Sequence, residues 1–167
     1  MTSGKPQPAA LDRHVIMGGV DAAPSWPTYQ WPRANRLQLG PLPSAVPCAR
    51  LQAKVILLEW NLAHVTDEAE LIVSELATNA LKASMSLAET HPIGVDLLAN
   101  HEWLIVQVWD ALPAAPDLRP HAPDAETGRG LQIVSVLSDR WGVYRPRRGG
   151  KTVWAAIHLT RANESAR

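Results

Sequence analysis

Two neighbouring stretches, "IGVDLLA" (93–99) and "EWLIVQVWD" (102–110), are short apolar runs interrupted by Asp96 and Gln107, in which alternate residues would face opposite sides with a period of two. They predict two strands joined by a turn at Asn100 and His101. Upstream the period lengthens. Cys48, Leu51, Val55, Leu58 and Leu62 recur at spacings of three and four, which predicts an amphipathic helix. Asp67 followed by Glu70 reads as a capping box opening a second helix that runs to about Leu87. Its buried stripe is expected to be Ala69, Val73, Leu76, Ala80, Ala83 and Leu87. A short strand is expected at Arg36–Leu39, before the first helix. Downstream, "GRGLQIVSVLSDR" opens on glycines and continues as a short helix. "RWGVYR" and "KTVWAAIHL" close the pattern as a hairpin around "PRRGG". The sum is an α+β fold, a two-layer sandwich with one mixed or antiparallel sheet and helices on one face.

Length and composition narrow this picture. The 167 residues suffice for one domain with a core, and Lys plus Arg (16) balance Asp plus Glu (16). Zero net charge argues against a nucleic-acid or membrane-surface binder driven by charge. The single cysteine, Cys48, excludes an internal disulfide framework and any multi-cysteine metal site. No apolar run approaches the ~20 residues of a membrane span, and no signal-peptide core is visible, so a cytoplasmic location is expected. Residues 1–35, rich in Pro, Gly, Ser and Ala, read as a flexible or loosely docked extension. Residues 36–160 read as the domain, and 161–167 as a tail. The Pro-rich stretch 111–127 is long for a simple connection, and loops of that length are usually functional or disordered.

Three polar clusters interrupt the apolar pattern. In "SELATNALKAS", Glu75, Asn79 and Lys82 lie three and four residues apart, on one side of the second helix and off its buried stripe. An amide oxygen can hold a hard cation and a carboxylate can take a proton; the bland reading is a solvated face. Asp110 ends a strand whose Leu104, Val106 and Val108 share its face, directed at the helices. A carboxylate there must find donors, which an exocyclic amine such as that of adenine would supply; a turn-capping Asp is the plain alternative. "TGRGLQIV" places Gly128, Arg129 and Gly130 at a helix start, where free N–H groups and a guanidinium make an anion site. "GGKT" (149–152) fails as a P-loop, because the first glycine would fall at Arg145 and a strand follows. The six histidines show no metal spacing, and "RPRRGGK" reads as a charged hairpin turn.

Together, "ELATNA", the strand ending "VWDALPAAP", the Pro-rich loop, "ETGRGLQIV" and "GGKTVWA", in this order, resemble the GHKL ATPase superfamily over roughly residues 36–160. The nearest likeness is to small stand-alone ATP-binding proteins similar to anti-sigma factor serine kinases. The resemblance implies a Bergerat-type ATP-binding fold with ATP and Mg²⁺ as cofactors. It implies Asn79 as the metal ligand, Glu75 as general base and Asp110 as the partner of the adenine amine. Gly128, Arg129, Gly130 and the amide of Leu131 would hold phosphate, and Thr152 would contact the nucleotide. Lys82 is carried as an electrostatic helper on the phosphate side. The loop 111–127 would be the lid.

By the same resemblance the chain would bind a sigma factor in one state and phosphorylate an antagonist in another, controlling transcription by partner switching. The family's D-x-G-x-G box is here "DALPAAP", without glycine, which leaves open a nucleotide-gated interaction module without catalysis. A sensor histidine kinase or a gyrase-like ATPase would need further domains. On the sheet's other face Trp103, Ile105 and Trp109 alternate away from the core, and Tyr144 and Trp154 can join them. That patch is expected to form a homodimer or partner surface, or to be covered by the N-terminal segment with Trp26 and Trp31.

Overall fold

The structure, a computed structural model, describes residues 31–114 and 129–160. Five strands and three helices follow in the order β1 (Arg33–Leu39), α1 (Ala45–Glu59), α2 (Thr66–Met85), β2 (Ile93–Ala99), β3 (Trp103–Asp110), α3 (Arg129–Leu137), β4 (Arg140–Tyr144) and β5 (Lys151–His158), with a 3₁₀ turn at Ala63–Val65. The strands form one sheet in the order β1-β2-β3-β5-β4, and every neighbouring pair is antiparallel. This is the two-layer α+β sandwich that the sequence pattern predicts, in the antiparallel form. The strand expected at 36–39 starts three residues earlier, at Arg33, and pairs along its whole length with β2.

The core lies between the sheet and α2. Leu104, Val106 and Val108 of β3 point to the helices and are buried, as are Val95 and Leu97 of β2 and Val153, Ala155 and Ile157 of β5. Helix α2 meets them with Ala69, Ile72, Val73, Leu76, Ala77 and Ala80. Each turn has a local cause. Asn100 Oδ1 accepts the N–H groups of Glu102 and Trp103, closing the β2–β3 turn. Helix α1 ends at Asn61, whose φ of 58° is left-handed, with Leu62 N–H donating to Leu57 C=O and Asn61 N–H to Leu58 C=O. This is a Schellman stop with asparagine in the place usually taken by glycine.

Two expectations need correction. The capping box does not form: α2 opens at Thr66 with no side-chain cap. The preceding 3₁₀ turn sets the start, and Glu70 instead lies 3.8 Å from both Arg50 and Lys54 of α1. The stripe of α1 is also not its buried face, although Leu62, just past the helix end, is buried. Leu51 is 64% exposed and Leu58 51%, with Cys48 and Val55 exposed beside them; Ala45, Ala49, Ala53, Ile56 and Leu57 face the core.

The far face of the sheet is more closed than an open aromatic patch. Ile105 is buried, and Trp103, Trp109 and Trp154 are partly buried. Trp109 Nε1 donates to Gly149 C=O at 2.9 Å while the Arg148 guanidinium lies 4.4 Å over its ring. Trp103 meets His158 edge-on, and Tyr144 Oη donates to Gln107 Oε1 at 3.1 Å. Trp26 and Tyr29, the lid residues from 115 to 128 and the tail 161–167 lie outside the described residues.

Candidate nucleotide site

The polar side of α2 and the start of α3 come together. Glu75 and Asn79 are partly buried, one helical turn apart, while Leu76, Ala77 and Ala80 behind them fill the core. Gly130, in the first turn of α3, sits directly over the pair. A Cβ on Gly130 would fall 2.5 Å from Glu75 Oε2 and 3.5 Å from Asn79 Nδ2. A side chain there would have to displace the Glu75 carboxylate, so glycine keeps "GRGL" and "ELATNA" in close contact. The N-terminal end of α3 thus carries its positive dipole and unpaired N–H groups to a carboxylate and an amide.

Leu131 anchors α3 by burying its side chain, with Val134 a turn further on. Arg129 begins the helix, but its side chain lies outside the described residues, as does Gly128. Lys82 is exposed in the last turn of α2 and makes no ion pair among the described residues.

Asp110 is 1% exposed at the helix-facing end of β3, as the alternation of that strand predicts. Its partner is one that sequence reasoning missed. Lys151, paired with Asp110 in the β3–β5 register, donates from Nζ to Asp110 Oδ1 at 2.7 Å and to Leu112 C=O at 3.1 Å. Leu112 N–H donates to the same Oδ1 at 3.0 Å. Burial raises the Asp110 carboxyl above its ordinary range, while the Lys151 hydrogen bond and charge, and the Leu112 amide, pull it down. Gly150, at φ +73°, precedes Lys151 with no room for a side chain, since a Cβ would overlap Asp110 C=O.

A signal for Lys151 existed in the sequence. Val153, Ala155 and Ile157 alternate inward along β5, so Lys151 two residues earlier must also face inward and needs a counterion. The same alternation turns Thr152 to the opposite face, in register with Trp109 and Tyr144. The structure therefore brings Lys151, not Thr152, to Asp110.

The donor set fits a metal held jointly with a polyphosphate rather than by protein alone. Among the described residues no cluster of three or more His, Cys, Asp or Glu could hold an ion. An amide oxygen at Asn79 beside a carboxylate and a helix N-terminus suits Mg²⁺, which takes few protein ligands and keeps water and phosphate oxygens.

An antiparallel sheet covered on one face by helices, with an acid–amide pair under a glycine-led helix and a buried carboxylate at a strand end, defines an ATP-binding domain of the GHKL type. The chain belongs to the histidine kinase-like ATPase domain family, whose model matches residues 41–157. No curated protein matches the chain. No helix among the described residues is long and apolar enough to cross a membrane.

Proposed function

We propose that this protein is a Mg-ATP-dependent serine/threonine kinase that regulates transcription by partner switching, binding a sigma factor or its antagonist according to the nucleotide it holds. The observation that carries the nucleotide reading is Gly130 lying over Glu75 and Asn79, because it joins two separate sequence motifs into one anion- and metal-competent site. The kinase reading rests on Glu75 beside that site and on the resemblance to anti-sigma factor kinases.

Asn79 would hold Mg²⁺ through its side-chain oxygen, and the metal would neutralise charge on the phosphates. The first turn of α3 would hold phosphate oxygens through N–H groups at Gly130 and Leu131. Asp110 would accept the adenine amine. Glu75 would take the proton of a partner serine hydroxyl as its oxygen bonds to the γ-phosphorus and the bond to the ADP oxygen breaks. Phosphoryl transfer asks mainly for such positioning and charge, which this site is built to supply.

Calorimetric titration with ATP, with and without Mg²⁺, tests the reading. Wild type should bind, with a magnesium-dependent part that Asn79→Ala loses. Glu75→Gln should keep Mg-ATP binding and lose phosphate transfer to a serine-bearing partner. A folded wild type that binds no ATP overturns the nucleotide reading. Binding with Glu75→Gln indistinguishable in transfer and regulation leaves a nucleotide-gated interaction module instead.

A further inference from the structure

Lys151 and Asp110 form a buried ion pair with side-chain exposures of 7% and 2%. As stabilisation alone the pair is poorly explained. Taking two charges out of water costs several kcal/mol per ion, and apolar residues in their place often serve stability equally well. The pairing is also incomplete. Both donors to Asp110, Lys151 Nζ and Leu112 N–H, converge on Oδ1, and Oδ2 accepts no hydrogen bond among the described residues. The ammonium spends two protons, on Asp110 and Leu112, and its third has no partner among the described residues. Buried polar groups rarely leave capacity unused without a reason. Here the unused capacity is an acceptor and a donor on two side chains joined by a hydrogen bond.

Adenine presents the complement of that couple. Its exocyclic amine donates, and a ring nitrogen on either side of it accepts. Guanine and hypoxanthine place a carbonyl oxygen where adenine has the amine, and so set an acceptor against the carboxylate. A carboxylate alone would read only the amine.

We propose that Lys151 is a base-reading residue, donating to a ring nitrogen of the adenine whose amine Asp110 accepts. The inference rests on the ATP-binding reading. The register supports it: Asp110 and Lys151 face each other across β3 and β5, and Gly150 permits the close strand contact beside them. The pair then plays jointly the part that one Asn or Gln side chain plays when it reads the amine and ring nitrogen of an adenine.

Calorimetry with ATP, 1-deaza-ATP and 7-deaza-ATP, each in Mg²⁺, measures this on wild type and on Lys151→Met. One of the two deaza analogues should bind wild type at least about tenfold more weakly than ATP, as expected for a lost hydrogen bond in a paired contact. That penalty should vanish in Lys151→Met. If wild type binds ATP and both analogues equally, the Lys151 assignment fails while the ATP reading stands. If Lys151→Met keeps the penalty, another group reads the nitrogen and the assignment fails. If folded wild type binds none of the three, both readings fall. The wild-type comparison needs no variant, so equal binding of the three still overturns the assignment if Lys151→Met folds poorly.

Discussion

Helices α1 and α2 are both rich in alanine and leucine, yet they bury different parts of that set. Helix α2 turns Ile72, Val73 and Leu76 inward with Ala69, Ala77 and Ala80, because it lies on the sheet and must fill the space above β2 and β3. Helix α1 packs chiefly on α2, and it does so through Ala45, Ala49 and Ala53, with Ile56 and Leu57 closing the end. Small side chains let two helices approach closely. Leu51 and Leu58 of α1 are left outside by that approach. Periodicity thus identifies a helix, but two stripes can share one helix, and the neighbour decides which is buried.

The largest expected effect breaks the comparison on the α2 side. Leu76→Ala should cost about 2–5 kcal/mol of folding free energy, read by urea denaturation, since Leu76 is nearly fully buried. On α1 the sensitive residue is an alanine. Ala53→Leu should cost about 1–3 kcal/mol by overpacking the α1–α2 contact, although it adds a residue with good helix propensity. Gly130→Ala should weaken Mg-ATP binding more than it lowers stability. Its methyl group must push aside the Glu75 carboxylate beside Asn79, and the Mg-ATP titration reads the loss directly.

A smaller effect is expected at Asp110 as a function of pH. Burial, its largest influence, raises the Asp110 carboxyl above its unfolded value. Such a group contributes stability that is fully present below the unfolded value, about 3.9, and lost as pH rises through the folded one. The stability of wild type minus that of Asp110→Asn should therefore fall as pH climbs from about 4. A difference that rises instead would mean that the attraction of Lys151 outweighs burial. The smallest effect completes the contrast. Leu51→Gln and Leu58→Gln should change stability by less than about 0.5 kcal/mol, as surface substitutions do.

Much of this was legible in the sequence, and the gaps share a cause. Strands β2 and β3 were readable because each is a short apolar run bounded by turn residues, with Asp96 and Gln107 marking the outward phase. Asp110 and Glu75 followed from their strand and helix phases. The inward face of α1, the absent cap of α2 and the role of Lys151 were not read, because each depends on a neighbour distant in sequence. Glu70 finds Arg50 and Lys54 on α1 rather than its own helix start. Lys151 finds Asp110 across a separation of 41 residues. Where a residue's partner lies on another element, local pattern states a need but not how it is met.

Strand β5 lies between β3 and β4, although β4 precedes it in the chain. As the polypeptide leaves the ribosome, β3 therefore holds an open edge until Lys151–His158 emerge. At typical synthesis rates the 41 residues from Asp110 to Lys151 take roughly 2–8 s. For that interval the nascent chain carries an unpaired apolar strand and a carboxylate still waiting for its cation. The last strand acts as a wedge that completes the sheet and neutralises the buried Asp110 carboxylate in the same event, so a transcript truncated before it would yield an aggregation-prone fragment rather than a weaker binder.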